Sequence, residues 1–352
     1  MENPIELLKR VRKRQHFLDS CCGAYAFVGI GNHSLHNLYP VIHYLHVPLK
    51  YIVVKNKGTA DLVNSSHFGV SATTDLEAVL QDRDINGIFI SAAPQSHYGL
   101  VKKCLQQGKN VFVEKPPCQT FGELTDLIAA EKASQRFCLA GLQKRYSSCV
   151  NILRTRLQSA DVISYNYRFL VGAYPEGDTL RDIYIHPLDL ISFLFGEPEQ
   201  VSVIETGPSR AVNTLFLQVR HRHAAGILEL STQYAWNRTQ ETLSVNTGGG
   251  IYSLQDHRSL IFEPKSRPFF SIPREKIFHT PPEKIYLFDG NSFLPVFENN
   301  QLVSQGYFSE IKTFVRLCEK KKAENLSTLS SLSATYKLIK SIASSCTTSK
   351  TT

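Results

Sequence analysis

Through residue 141 this chain alternates short apolar runs with helical patterns, and that alternation restricts the fold more than any other feature. The runs are residues 24–30 (AYAFVGI), 49–54 (LKYIVV), 87–91 (GIFIS), 110–113 (NVFV) and 137–141 (FCLAG). Apolar runs without polar alternation are strands covered on both faces. Between them, residues 75–80 read as a helix with Thr74 as N-cap, residues 97–107 as a helix closed by Gly108, and residues 121–134 as a third helix. Strands separated by helices of this length form βαβ units, and so a doubly wound parallel sheet.

Beyond about residue 150 the pattern changes. Residues 200–204, 214–220, 226–234 and 241–246 are β-like runs with no helix between them, which predicts a mainly antiparallel open sheet. Residues 180–195 read as an amphipathic helix that Pro187 kinks or restarts, and residues 308–321 and 330–344 as later helices. His221-Arg222-His223 has no third ligand at metal spacing and reads as a hairpin turn, so no metal site is expected. With 352 residues the chain exceeds one ordinary core. The expected division is an N-terminal helical extension (1–22), an α/β domain (23–146), an α+β domain (147–345) and a tail (346–352).

The formal charge is +8, partly from Lys9-Arg10, Arg12-Lys13-Arg14 and Lys320-Lys321-Lys322. Solvated helix faces account for such runs, and attraction for phosphorylated cofactors or substrates is the sharper alternative. No nucleic-acid module appears, so no nucleic-acid partner is expected. The first helix (Ile5, Leu7, Leu8, Val11, Phe17, Leu18) has no apolar core of the secretory kind, and no apolar run approaches a membrane span. Eight scattered cysteines without a C-x-x-C pair fit reduced thiols in a cytoplasmic protein.

The first strand closes on Val28-Gly29-Ile30-Gly31-Asn32-His33-Ser34 and opens a helix. Gly29 permits the tight turn, and Gly31 lets a pyrophosphate approach the helix N-terminus. This is a Rossmann dinucleotide fingerprint with Ser34 in its third glycine position. The acid that normally receives the adenosine ribose 2′-hydroxyl is missing, and the second strand runs into Lys55-Asn56-Lys57 instead. A cation there suits a 2′-phosphate, so NADP is favoured, with NAD the alternative.

Three further segments carry a resemblance: Ala92-Ala93-Pro94-Gln95-Ser96-His97, Glu114-Lys115-Pro116, and Asp182-Ile183-Tyr184-Ile185-His186-Pro187-Leu188-Asp189-Leu190. With the glycine turn they resemble the glucose-fructose oxidoreductase / inositol dehydrogenase / MocA (Gfo/Idh/MocA) family from about residue 24 to 340. The resemblance implies hydride transfer between a nicotinamide and a secondary alcohol or ketone of a sugar, cyclitol or nucleotide-linked sugar. It implies catalytic roles for Lys115, Asp182 and His186, with Asp189 a supporting carboxylate. Gly29, Ile30, Gly31, Asn32, His33, Lys55, Ala93, Pro94, Gln95, Glu114 and Lys115 would bind the cofactor. Lys144, Arg145, Asp189 and Tyr167 would meet substrate, and a homodimer or homotetramer is implied.

The residues themselves are compatible with this. Gly29, Pro94 and Lys115 follow strands at their carboxyl ends, where such sheets bind ligands. On an unbroken helix Asp182, His186 and Asp189 share one face. An imidazole titrating near pH ~6.5 can take or return the alcohol proton. One departure concerns the substrate: Tyr184 replaces the usual glycine two residues before His186, where its bulk would reshape the site. A cofactor-binding regulator or scaffold without turnover, and imine redox chemistry on the same fold, are the competing readings.

Overall fold

A computed structural model describes residues 3–10, 21–66, 69–206, 214–266, 268–279, 281–290 and 300–348. Residues 4–10 are helical; the rest of the expected extension (11–20, with Arg12-Lys13-Arg14, Phe17 and Leu18) and tail residues 349–352 lie outside the described residues.

The chain forms two compact units. The first comprises the residues up to Glu114 together with Ala129–Leu139 and Ile311–Asn325. Its strands are β1 (Ala24–Val28), β2 (Leu49–Val53), β3 (Ser71–Thr73), β4 (Ile85–Ile90), β5 (Asn110–Glu114) and β6 (Cys138–Gly141), in sheet order β3-β2-β1-β4-β5-β6. The pairs β1–β2, β1–β4, β2–β3 and β4–β5 are all parallel. Tyr25, Ala26, Phe27, Ile88, Phe89, Ile90, Val111, Phe112 and Val113 have no exposed surface, which is why these strands read as uninterrupted apolar runs. The helices are α1 (Tyr39–Tyr44), α2 (Lys57–Ser65), α3 (Leu76–Gln81), α4 (Pro94–Gln106) and α5 (Phe121–Ser134). The cap of α3 is Asp75, whose carboxylate accepts from the Ala78 amide at 3.0 Å, and not Thr74. The helix α4 starts three residues earlier than expected, because Pro94 is preset for the first helical position.

The late segment 311–325 corrects the expected contiguous domain. Phe314 meets Phe89, Phe112 and Phe137 edge-on at 4.9, 5.9 and 5.8 Å. A Cβ on Gly87 would fall 2.9 Å from both Cys318 Sγ and the Phe314 ring, so the glycine makes room for the returning helix α8 (Tyr307–Cys318). Glu319 then accepts from the Gly23 amide and the Tyr25 hydroxyl, each at 3.0 Å.

The second unit comprises Lys115–Ile128, Ala140–Glu310 and the residues from Leu326 on. Its strands are β7 (Val162–Leu170), β8 (Pro198–Thr206), β9 (Thr214–His221), β10 (Ala225–Ser231), β11 (Gln240–Thr247), β12 (Gly250–Gln255), β13 (Ser259–Pro264) and β14 (Ile285–Asp289). They form one sheet in the order β14-β13-β12-β11-β7-β10-β9-β8, antiparallel except for the pair β7–β10. Its inner face buries Tyr165, Tyr167, Leu217, Leu228, Leu243 and Leu254, while Ile204, Phe216, Ile227 and Ile251 stay exposed on the outer face. The helices are α6 (Ser148–Leu157), α7 (Ile185–Phe195) and α9 (Ser333–Thr348). His221 ends β9 before the expected turn, fixed by the Tyr165 hydroxyl at 2.8 Å and the Gly196 carbonyl at 2.9 Å.

Candidate functional site

In the first unit the strand order reverses between β1 and β4, and an open cleft of about 730 Å3 lies there. Such a switch point at the carboxyl ends of parallel strands is where doubly wound sheets bind dinucleotides. Gly29 has φ +95°, and a Cβ on it would fall 2.2 Å from the Ser91 carbonyl oxygen, so only glycine fits this crossing. A Cβ on Gly31 would meet nothing within 4 Å, leaving the approach to its backbone open. Ser34, 1% exposed, accepts from the Gly31 amide at 3.0 Å and donates to the Gly31 carbonyl at 2.9 Å. The third fingerprint position thus holds a small side chain that ties the turn together.

Ile30, Asn32, His33, Lys55 and Ala93 also line the cleft, and Pro94 and Gln95 begin α4 directly after Ala93. Lys55 is exposed, and its neighbour Asn56 caps α2 through the Thr59 amide at 2.8 Å. Glu114 ends β5 almost fully buried, and its Oε1 is 3.3 Å from His33 Nε2. Asn37 Nδ2 donates to the other ring nitrogen of His33 at 3.2 Å. The glycine loop's histidine is therefore clamped from two sides, a partnership with nothing in the sequence to announce it. His97 is buried inside α4 with its Nε2 2.9 Å from the Ala92 carbonyl.

In the second unit Lys115 precedes a cis bond to Pro116, and its Nζ donates to the main-chain oxygen of Asp182 at 2.6 Å. Arg181 Nε donates to the Gln119 carbonyl at 3.1 Å, a second tie between the same two segments. Residues 180–195 are not one helix. A wide π-type turn (Thr179–Ile183), capped by Asp178, gives way at Tyr184 to α7, and Pro187 falls in the first turn of α7, where a missing amide costs no helical bond. The winding changes at Tyr184, between Asp182 and the register of His186 and Asp189, so the three are not spaced along one unbroken helix.

Asp182 is 5% exposed and accepts at Oδ2 from the Asp178 amide at 2.9 Å. Burial raises its pKa above the ordinary carboxylate value, against the pull of the Asp178 amide, the Lys115 charge and the Tyr174 hydroxyl. His186 is the second residue of α7 and half-buried. The structure thus brings Lys115 to the turn that carries Asp182 and leads into His186.

The four residues expected to meet substrate have a different environment. Arg145, 1% exposed, grips Asp189 with Nε at 2.8 Å and a terminal nitrogen at 2.5 Å, and also donates to the Leu326 carbonyl and Ser331 Oγ, each at 2.7 Å. Thr335 Oγ1 adds a third donor to Asp189 at 2.9 Å. Lys144 Nζ and the Tyr167 hydroxyl each donate to Glu241 at 2.5 Å, and His257 Nε2 lies 3.1 Å from the same carboxylate. Burial alone would raise the Glu241 pKa, but the Lys144 and His257 charges outweigh it and hold the carboxyl well below its usual range. Lys144, Arg145, Asp189 and Tyr167 are therefore interior residues whose polar atoms are engaged by one another and by Glu241. The sequence reading placed them as open contacts because their partners are 44 to 97 positions away.

Tyr184 is the bulky residue expected to reshape the site. It has no exposed surface, and burial, against a hydrogen bond with Thr232, pushes its hydroxyl up to about 12. It is an interior residue at the N-terminal boundary of α7. Tyr174, with no role assigned from sequence, bonds to Asp182 instead. Among the described residues no group of three or more His, Cys, Asp or Glu is placed to hold a metal ion, and no helix is long and apolar enough to cross a membrane.

Residues 24–142 match the family model of the Gfo/Idh/MocA oxidoreductases, described as an oxidoreductase family with an NAD-binding Rossmann fold. The uncharacterized oxidoreductase YhhX of Escherichia coli K12 is 25% identical over 195 residues, covering 50% of this chain and 55% of that protein. The chain spans about half the length of the curated relatives it matches. Among solved structures, a dehydrogenase from Chromobacterium violaceum has a TM-score of 0.77 at 18% identity, covering 94% of this chain and 97% of that one. Levoglucosan dehydrogenase in complex with NADH and L-sorbose has a TM-score of 0.75 at 15% identity, covering 92% of this chain and 96% of that one. These likenesses establish the fold across both units.

Proposed function

The chain carries the NAD-binding Rossmann domain of the Gfo/Idh/MocA oxidoreductase family over residues 24–142, and on that premise we propose that it oxidises a secondary alcohol, or reduces the ketone, of a sugar, cyclitol or nucleotide-linked sugar. The observation that carries the reading is the 2.6 Å bond from Lys115 Nζ to the main-chain oxygen of Asp182. It ties the lysine to the turn that carries a buried carboxyl and leads into a histidine, the residue types that proton exchange with an alcohol needs.

The cleft fits a dinucleotide: the backbone at Gly31 is open to approach, and Gly29 allows the crossing over Ser91. Residues Gly29 to His33 would hold the pyrophosphate, with Ala93, Pro94, Gln95 and Glu114 toward the nicotinamide half. Lys55 on the cleft lining supports NADP over NAD, since an exposed ammonium there complements a 2′-phosphate. When bound, the nicotinamide exchanges a hydride with the substrate carbon.

Lys115, held at the Asp182 carbonyl, would donate to the reacting oxygen. His186 takes the hydroxyl proton as the alcohol is oxidised and returns it in reduction. Asp182, raised by burial, holds a proton more readily than an exposed carboxyl and serves as the neighbouring reservoir. We further read the assembly as a homodimer or homotetramer joined through the outer face of the second unit's sheet, where Ile204, Phe216, Ile227 and Ile251 are exposed.

A screen of sugars and cyclitols, followed by nicotinamide absorbance, tests the reading. Lys115→Ala and His186→Ala are each expected to lower turnover by at least ~100-fold. The wild type is expected to bind NADP more tightly than NAD, with the difference lost in Lys55→Ala. Full turnover in both catalytic variants would overturn the proton chemistry, and equal affinities unaffected by Lys55→Ala would overturn the NADP preference.

A further inference from the structure

The chain has one tryptophan, Trp236, and 54% of its surface is exposed. A solvated indole ordinarily turns freely, but this one is fixed. Its Nε1 donates to the Ala173 carbonyl at 2.8 Å. Its ring lies against Gly172, where a Cβ would come within 2.3 Å of Cδ1 and 2.7 Å of Cγ. Any side chain at position 172 would lift the indole off its seat, so glycine here leaves bare backbone as a floor for the ring.

The seat belongs to the same stretch that holds Asp182. Residues 171–174 continue from β7, and residues 232–236 continue from its parallel neighbour β10. The two extensions are locked together by the Val171 amide on the Ser231 carbonyl at 2.8 Å and the Tyr234 amide on the Val171 carbonyl at 3.0 Å. Next after Ala173, which anchors the indole, comes Tyr174, whose hydroxyl bonds the Asp182 carboxyl. The residue that anchors the indole and the residue that bonds the carboxyl of the proposed site are thus consecutive in one segment.

We propose that Trp236 is a stacking platform for the substrate and that it selects a cyclic, polyhydroxylated ring. This deepens the sugar and cyclitol reading above and depends on it. The indole N–H is already spent on Ala173, so the residue offers a ligand only its flat π-face. That face complements the C–H side of a six-membered sugar or cyclitol, whose hydroxyls project sideways toward Lys115 and Asp182. An acyclic polyol presents no comparable flat face and must give up chain freedom to imitate one.

Because Trp236 is the sole tryptophan, its emission reports on this position alone. The holoprotein, loaded with NADP, is titrated with myo-inositol, D-glucose and D-xylose, with D-glucitol as the acyclic counterpart. A saturable change in indole emission is expected for at least one cyclic polyol, with D-glucitol at least about tenfold weaker. For the ring that is turned over, Trp236→Ala is expected to raise KM about tenfold with only a small loss in kcat, and Trp236→Phe to recover most of that loss. Gly172→Ala, folded by circular dichroism, is expected to raise KM in the same direction. Emission unmoved by every cyclic polyol, or an unchanged KM in Trp236→Ala, overturns the platform. A saturable emission change without any turnover keeps the platform and overturns the hydride-transfer reading, so the two failures are told apart.

Discussion

Severing the Arg145–Asp189 pair should destabilise the second unit more than removing both partners together. Both residues are essentially unexposed, at 1% and 2%. Asp189 accepts three bonds, two from Arg145 and one from Thr335. Asp189→Leu strands a buried guanidinium and should cost about 3–5 kcal/mol. Arg145→Met strands the carboxylate at a similar cost and also removes the donor to the Leu326 carbonyl and Ser331 Oγ. Orphaning those acceptors adds about 1–3 kcal/mol. In the double variant no buried charge is left, and the expected loss falls to roughly the orphaned-acceptor share, about 1–3 kcal/mol. The coupling between the two sites should therefore exceed about 2 kcal/mol. Urea unfolding followed through Trp236 reports the transition of the unit that contains the pair. Additive losses in the double variant would refute the reasoning, and with it the claim that these residues act as one buried charge pair instead of as substrate contacts.

Asp182 gives a pH-dependent prediction. Burial raises its folded pKa above the ordinary 3.8, so the folded chain holds this proton more tightly than the unfolded one. The associated stability is fully present below the unfolded pKa and is lost as pH rises through the folded value. Asp182→Asn should therefore raise the unfolding midpoint at neutral pH while lowering turnover, and its advantage should shrink as the pH falls toward about 4. A variant less stable than wild type at neutral pH would count against the burial argument. For the assembly, Ile227→Glu should shift sedimentation toward the monomer with an unchanged circular dichroism spectrum; a wild type that already sediments as a monomer would remove the proposed pairing face.

What the sequence disclosed and what it hid follow from the range over which each interaction acts. β1, β4 and β5 are buried on both faces, and β2 at its carboxyl end, so their requirement is for apolar residues in succession, and a local window reads it. β3 is three residues long, at the sheet edge, and spelled Ser-Ala-Thr, so it carries no such requirement and went unread. Gly29 was legible because φ +95° with a carbonyl 2.2 Å from any Cβ admits only one residue type. Lys115, Asp182 and His186 were legible as chemistry. Their geometry was not, because periodicity assumes one winding and the chain changes winding at Tyr184. Lys144, Arg145 and Asp189 show the opposite limit. A charged residue seen alone reads as exposed, since burying it unpaired is prohibitive, and only a distant partner such as Glu241 makes the interior possible. The same reasoning applies to Trp236, on which the sequence was silent: its seat is a glycine 64 positions away and its anchor the Ala173 carbonyl, both outside any local window.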